Sequence, residues 1–151
     1  MTRPDSPAWI TCKAEGDRAE LAIAEWFRGR GFDTFKTIGD APFDLLLQAA
    51  VEVKRDLKAA QTGNVAIETK YNGQPSGIRS STASYWAIVL DAEAVVIKTE
   101  KLLEMVLAGK YRETRAGDRL AATVRLVPVE RLKAAKVGQV IPLSEVPQMM
   151  T

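Results

Sequence analysis

The residues of this chain best suited to chemistry are an aspartate and a Glu-x-Lys triplet separated by a short apolar stretch. They lie in Pro42-Phe43-Asp44-Leu45-Leu46-Leu47 and Val51-Glu52-Val53-Lys54. Side chains alternate along a strand, so Glu52 and Lys54 share one face while Val51 and Val53 turn toward the expected core. Asp44 opens the partner strand of a tight hairpin and can reach the same edge. Two converging carboxylates suit a hard cation, and a nearby ammonium can orient a water or stabilise negative charge on a phosphate. Phosphodiester cleavage needs that combination. Glu-x-Lys alone reads more readily as a solvated strand face, and Asp44 alone as a turn residue. The ordered set of all three favours a site.

What the chain lacks narrows the chemistry further. It has no histidine and one cysteine among 151 residues. Ser-His-Asp and Cys-His catalysis, histidine zinc sites and a histidine general base are therefore excluded. A metal would have to sit on oxygen ligands, which favours Mg2+, with Mn2+ as its substitute. Cys12 cannot form an internal disulfide, which fits a reducing cytosol. The formal net charge of +2 is compatible with nucleic acid without being diagnostic. No apolar run approaches the ~20 residues of a membrane span, and residues 1–10 show no targeting pattern, so no membrane and a cytoplasmic location are expected.

These residues must be positioned by a small set of elements. Residues 1–12, with Pro4, Asp5, Ser6 and Pro7, read as a flexible lead-in, and 13–151 as a single domain. A helix is expected from Ala14 to Arg30, stopped by Gly31. Strands are expected over Phe32–Ile38, Leu45–Leu47, Ala50–Lys54, Val65–Tyr71, Trp86–Leu90, Ala94–Lys98 and Ala122–Val129. Between them fall a polar segment from Arg55 to Asn64, a loop from Asn72 to Gly77 and a short helix capped by Ser80, Ser81 or Thr82. A helix should cover Thr99–Ala108, and the last twenty residues look short and irregular. The sum is one α/β domain with a central mixed β-sheet flanked by helices.

Glu20 lies on the first helix with Ile23, Ala24 and Phe27 at i+3, i+4 and i+7, within the apolar stripe. A carboxylate there needs a partner. That partner is either a metal or its water, or an Arg or Lys at the stripe's edge. From Lys54 to Thr82 there are five basic residues, Lys54, Arg55, Lys58, Lys70 and Arg79, against Asp56 and Glu68. With Ser80 and with Lys36 near the turn, they are candidates for phosphate contact, the alternative being an ordinary solvated loop. Glu68 is a secondary candidate, either an extra metal or water ligand or one side of a cross-strand salt bridge. Trp26, Tyr85 and Trp86 fall in apolar runs and read as core or interface.

Ala19-Glu20-Leu21, Gly31-Phe32, Asp44 and Glu52-Val53-Lys54 together resemble the PD-(D/E)xK nuclease superfamily, and within it the archaeal-type Holliday junction resolvases, including phage-borne versions. The resemblance covers residues 15–56. This chain has Pro42-Phe43-Asp44 in place of a Pro-Asp dipeptide, and a short interval from Asp44 to Glu52. The resemblance implies a restriction-endonuclease-like core, with Asp44 and Glu52 ligating Mg2+, Lys54 assisting the attacking water and Glu20 completing the site. It also implies a homodimer acting on four-way DNA junctions. A restriction-type or repair nuclease on other DNA, and a DNA-structure-binding module that does not cleave, are the rival readings.

Overall fold

Two strands carry apolar side chains at nearly every position, and they form the middle of the larger sheet. In the computed structural model of the chain, which describes residues 7–29, 34–37, 44–46, 50–137 and 140–143, Trp86 to Val89 and Ala94 to Ile97 are all buried. Continuous burial rather than alternation means that both faces of these strands are covered.

The element order is α1 (Pro7–Arg28), β1 (Phe35–Lys36), β2 (Leu45–Leu46), β3 (Ala50–Arg55), α2 (Ala59–Thr62), β4 (Asn64–Tyr71) and β5 (Gln74–Pro75). A 3-10 turn at Gly77–Arg79 leads to β6 (Tyr85–Val89), β7 (Glu93–Lys98), α3 (Thr99–Ala108) and β8 (Glu113–Ala116). A second 3-10 turn, Asp118–Leu120, precedes β9 (Ala122–Pro128), α4 (Val129–Ala134) and β10 (Ile141–Pro142). The larger sheet has the order β1-β2-β3-β6-β7-β10. Only β3 and β6 run parallel in it; the other pairs are antiparallel. The chain between β3 and β6 supplies β4 and β5 to a smaller antiparallel sheet, β5-β4-β9-β8.

The domain is thus α/β, with a mixed sheet flanked by helices. Against one face of the larger sheet, α1 packs Ile23, Ala24 and Phe27 with Leu45, Val51, Val89 and Val96. The other face packs Trp86, Ile88 and Ile97 with Ile67 and Val127 of the smaller sheet, Leu102 of α3 and Leu132 of α4. Each buried Val, Leu, Ile or Phe among these stabilises the fold by roughly 1.5–3 kcal/mol. Arg125 of β9 donates to the carbonyl of Val106 at 2.8 Å, satisfying a free acceptor near the end of α3.

The structure departs from the sequence expectations at several points. Helix α1 begins at Pro7, so 7–12 are helical and not a loose lead-in; proline is well tolerated at a first helical position because its missing N–H has no partner there anyway. The helix ends at Arg28, and the expected stop at Gly31 lies outside the described residues. So do the ends of the expected Phe32–Ile38 strand, Pro42-Phe43, the Gln48-Ala49 turn and residues 144–151. Asn72-Gly73, read as loop, is the two-residue turn of a β4–β5 hairpin, with φ of 48° and 78°. The short helix expected after Ser80 is replaced by the turn at Gly77–Arg79. Gly77 has φ of 56°, and a Cβ there would lie 2.3 Å from the carbonyl oxygen of Glu68, so only glycine lets this turn lie against β4. The smaller sheet, with β8, and α4 were not anticipated.

Candidate functional site

The register of β2 against β3 pairs Leu45 with Val51 and Leu46 with Ala50. One step further along that register sets Asp44 opposite Glu52, on the face away from α1. Asp44 is held through its backbone and its side chain together. Its carbonyl accepts the amide and hydroxyl of Thr37, at 2.9 and 3.0 Å. Its carboxylate Oδ2 accepts the Val53 N–H at 2.9 Å. The aspartate is therefore docked onto the strand that carries Glu52 and Lys54.

Glu52 is largely enclosed, with 16% of its side chain exposed, and its Oε1 lies 2.6 Å from Lys54 Nζ. Burial pushes the Glu52 carboxyl above its ordinary value. The hydrogen bond and charge of Lys54 oppose that push, while the charges of Asp44 and Glu20 add to it. Three acidic groups thus act on one neighbourhood with two ammoniums among them, Lys54 on Glu52 and Lys36 on Glu20. Excess negative charge in a part-buried place is what a bound cation relieves. Lys54 Nζ also stands 5.8 Å from the centre of the Trp86 ring, and the Trp86 Nε1–H donates to Ser81 Oγ at 3.0 Å.

Glu20 sits at the rim of this arrangement. Its side chain is 18% exposed and pairs with Lys36 Nζ at 3.0 Å. Lys36 also holds Asp17 at 2.7 Å, and Asp17 holds Lys13 at 2.8 Å. Burial works against the Lys36 ammonium, but its bonds to Asp17 and Glu20 carry its pKa above the ordinary lysine value. The hydrogen bonds of Lys13 and Lys36 hold Asp17 below the usual carboxylate range. The edge-lysine reading of Glu20 is thus realised in the structure, while its charge still reaches Glu52.

The other sequence candidates scatter. Arg55 pairs with Glu15 of α1, so this residue and Lys36 fasten the helix to the sheet. Lys58 is exposed just before α2, Arg79 and Ser80 are exposed around the first 3-10 turn, and Lys70 is half-buried on β4. Glu68, the secondary candidate for a metal ligand or a cross-strand salt bridge, accepts the Ser76 hydroxyl at 2.9 Å, a local contact. Sequence reasoning missed two participants. Trp86 was read as core or interface, yet its ring also faces Lys54. Asp56 ties the end of β3 to α2 and β4 by accepting the N–H groups of Ala59 and Ala66, at 3.1 and 2.9 Å.

Among the described residues, no group of three or more Asp, Glu, His or Cys side chains closes around a point where a metal could sit. The donor set on the site face is two carboxylates, Asp44 and Glu52. That fits Mg2+, which keeps several waters and takes one or two carboxylates together with substrate phosphate.

No family model and no curated protein matches the chain. Among solved structures it is similar to the bacterial homing endonuclease I-Ssp6803I, with a TM-score of 0.53 over 82% of this chain and 87% of that one, at 18% identity. At this identity the likeness speaks for a shared fold.

Proposed function

We propose that the protein is a divalent-metal-dependent DNA endonuclease whose site is Asp44, Glu52 and Lys54. The observation that carries this is the meeting of Asp44 and Glu52 on one face of the larger sheet, with the Lys54 ammonium 2.6 Å from Glu52. The fold shared with a homing endonuclease supports it. Asp44 and Glu52 would hold Mg2+, or Mn2+ in its place. A cation bound there supplies Lewis acidity toward a phosphate oxygen and lowers the pKa of a coordinated water. Lys54 orients the attacking water or offsets charge on the phosphate. Glu20, through its charge and its hold on Lys36, completes the setting. Water adds to phosphorus, one P–O bond breaks, and the departing oxygen leaves with a proton. Exposed Lys58, Arg79 and Ser80, with half-buried Lys70, supply contacts to the DNA backbone.

The finer reading rests on the sequence resemblance to PD-(D/E)xK Holliday junction resolvases. In it the chain works in the cytoplasm as a homodimer that makes paired cuts in a four-way junction. A four-way junction has approximate two-fold symmetry, and a C2 dimer would set two identical sites about that axis. The homing endonuclease neighbour favours a second reading, the same chemistry on other DNA. No described helix is long and apolar enough to cross a membrane.

The deciding assay gives purified protein and Mg2+ a junction, a flap, a single strand and a linear duplex of one sequence. Metal-dependent cutting that is lost in Asp44→Asn supports the nuclease. Preference for the junction, with a dimer in sedimentation, supports the resolvase. Equal cutting of linear duplex rejects the resolvase and leaves the nuclease standing.

A further inference from the structure

We propose that Trp86 is a positioning residue for Lys54, and that its indole, pinned by Ser81, connects the turn after β5 to the ammonium at the site. This deepens the nuclease reading and rests on it for its kinetic consequence.

Lys54 is half exposed, and a four-carbon stem gives up much rotamer freedom when its ammonium is held in one place. Two anchors hold it: the Glu52 carboxylate at 2.6 Å and the face of Trp86 at 5.8 Å. The anchors differ in kind. Glu52 is itself a candidate metal ligand, and a carboxylate turned toward a divalent cation has less to offer an ammonium. An indole attracts the ammonium through its quadrupole and takes no share in a metal site. Tryptophan is the best of the aromatic side chains for this purpose. The ring is therefore the anchor that persists when Glu52 is engaged.

The ring is also fixed in place. Trp86 is 2% exposed within the core between the two sheets, and its parallel register opposite Glu52 keeps it on the same face of the larger sheet. Its buried N–H needs an acceptor and finds Ser81 Oγ, which also takes the Ala83 N–H at 3.4 Å. Ser81 follows Arg79 and Ser80, the exposed residues suited to phosphate contact. DNA seated on that segment would bear on Ser81, hence on the indole, hence on Lys54.

The test begins with metal-free protein carrying 5-fluorotryptophan, its resonances assigned by Trp→Phe substitution. Lys54→Met and Ser81→Ala should each displace the Trp86 resonance and leave that of Trp26 in place. A Trp86 resonance unmoved by Lys54→Met would overturn the proposal, whatever the protein does to DNA. The second arm measures single-turnover cleavage and DNA affinity separately. Trp86→Phe should keep most of the rate, and Trp86→Leu should lose about five-fold at unchanged affinity. Equal rates in the Phe and Leu variants, or a loss explained by affinity alone, would count against it. Should Trp86→Leu not fold, Ser81→Ala takes its place, with about a two-fold loss of rate expected at unchanged affinity; an unchanged rate removes the link to the turn. A wild-type protein that cuts no DNA refutes the nuclease reading, and the resonance arm still decides whether Trp86 holds Lys54.

Discussion

The two faces of β3 are built on opposite terms. Toward α1, Val51 is fully buried among Leu45, Ile23 and Val89, and Arg55 finds Glu15. Everything on that face has a partner of matching character. On the other face burial, helped by the charges of Asp44 and Glu20, raises the Glu52 pKa against the opposing pull of Lys54. One strand thus carries a face that lowers the energy of the fold and a face that spends some of it. Strain of the second kind is tolerated where a ligand is to be received.

The largest effect expected from breaking this contrast is on cleavage. Asp44→Asn and Glu52→Gln remove charge and almost no volume. Each should lower single-turnover cleavage by about 1,000-fold or more, the worth of ~4 kcal/mol of transition-state stabilisation. DNA binding should persist, measured by gel shift with Ca2+. Either variant cutting at the wild-type rate would remove these residues from the site.

On the α1 face the same logic predicts loss of stability with chemistry retained. Val51→Ala should cost about 2 kcal/mol, because the packed sheet and helix leave little room to close the gap. The melting temperature should then fall by roughly 4–8 °C, with cleavage retained well below it. A stability unchanged in denaturant titration would show that this face is looser than its burial implies.

Glu20 bridges the two faces, so its substitution sharpens the comparison. Lys36 keeps Asp17 when Glu20→Gln removes one partner, so the stability loss should stay below about 1 kcal/mol, as for other part-exposed ion pairs. Cleavage should fall roughly ten-fold, the worth of ~1.4 kcal/mol. Melting and single-turnover rate, measured together, separate the roles: a stability loss at full rate would leave Glu20 only a fastener for α1.

The smallest effect is a pH dependence of stability in EDTA. The raised pKa means that the folded chain keeps the Glu52 proton to a higher pH than the unfolded chain does. Stability from this group is present below the ordinary value of 4.5 and lost as pH rises through the folded value. Glu52→Gln should therefore melt higher than wild type at about pH 7.5, with the gain gone by about pH 4. A gain of the same size at both pH values would contradict the assigned cause.

Much of this contrast is legible in the chain. Asp44, Glu52 and Lys54 could be read because a strand's two-residue period and a short hairpin are local rules. Helix α3 coincides with its expected span, Thr99–Ala108, for the same reason. Asn72-Gly73 carries a local hairpin signal as well, since both residues take the positive φ that a tight two-residue turn requires. Strand β8, Glu-Thr-Arg-Ala, has no apolar pattern of its own and is a strand because β9 offers it a ladder of hydrogen bonds.

By itself, then, the sequence determined the class of fold, the candidate acid and base groups and the exclusion of histidine and thiol chemistry, since residue types and short spacings suffice for these. Only the tertiary structure decided who neighbours whom. It paired Lys36 with Glu20 and Arg55 with Glu15, which turned two candidate DNA contacts into fasteners of α1. It also set Trp86 beside Glu52 through a parallel pairing of β3 with β6, between which the chain leaves to form β4 and β5 of the smaller sheet. Contacts of that kind depend on how distant apolar faces pack, and no local period encodes the packing of one face against another.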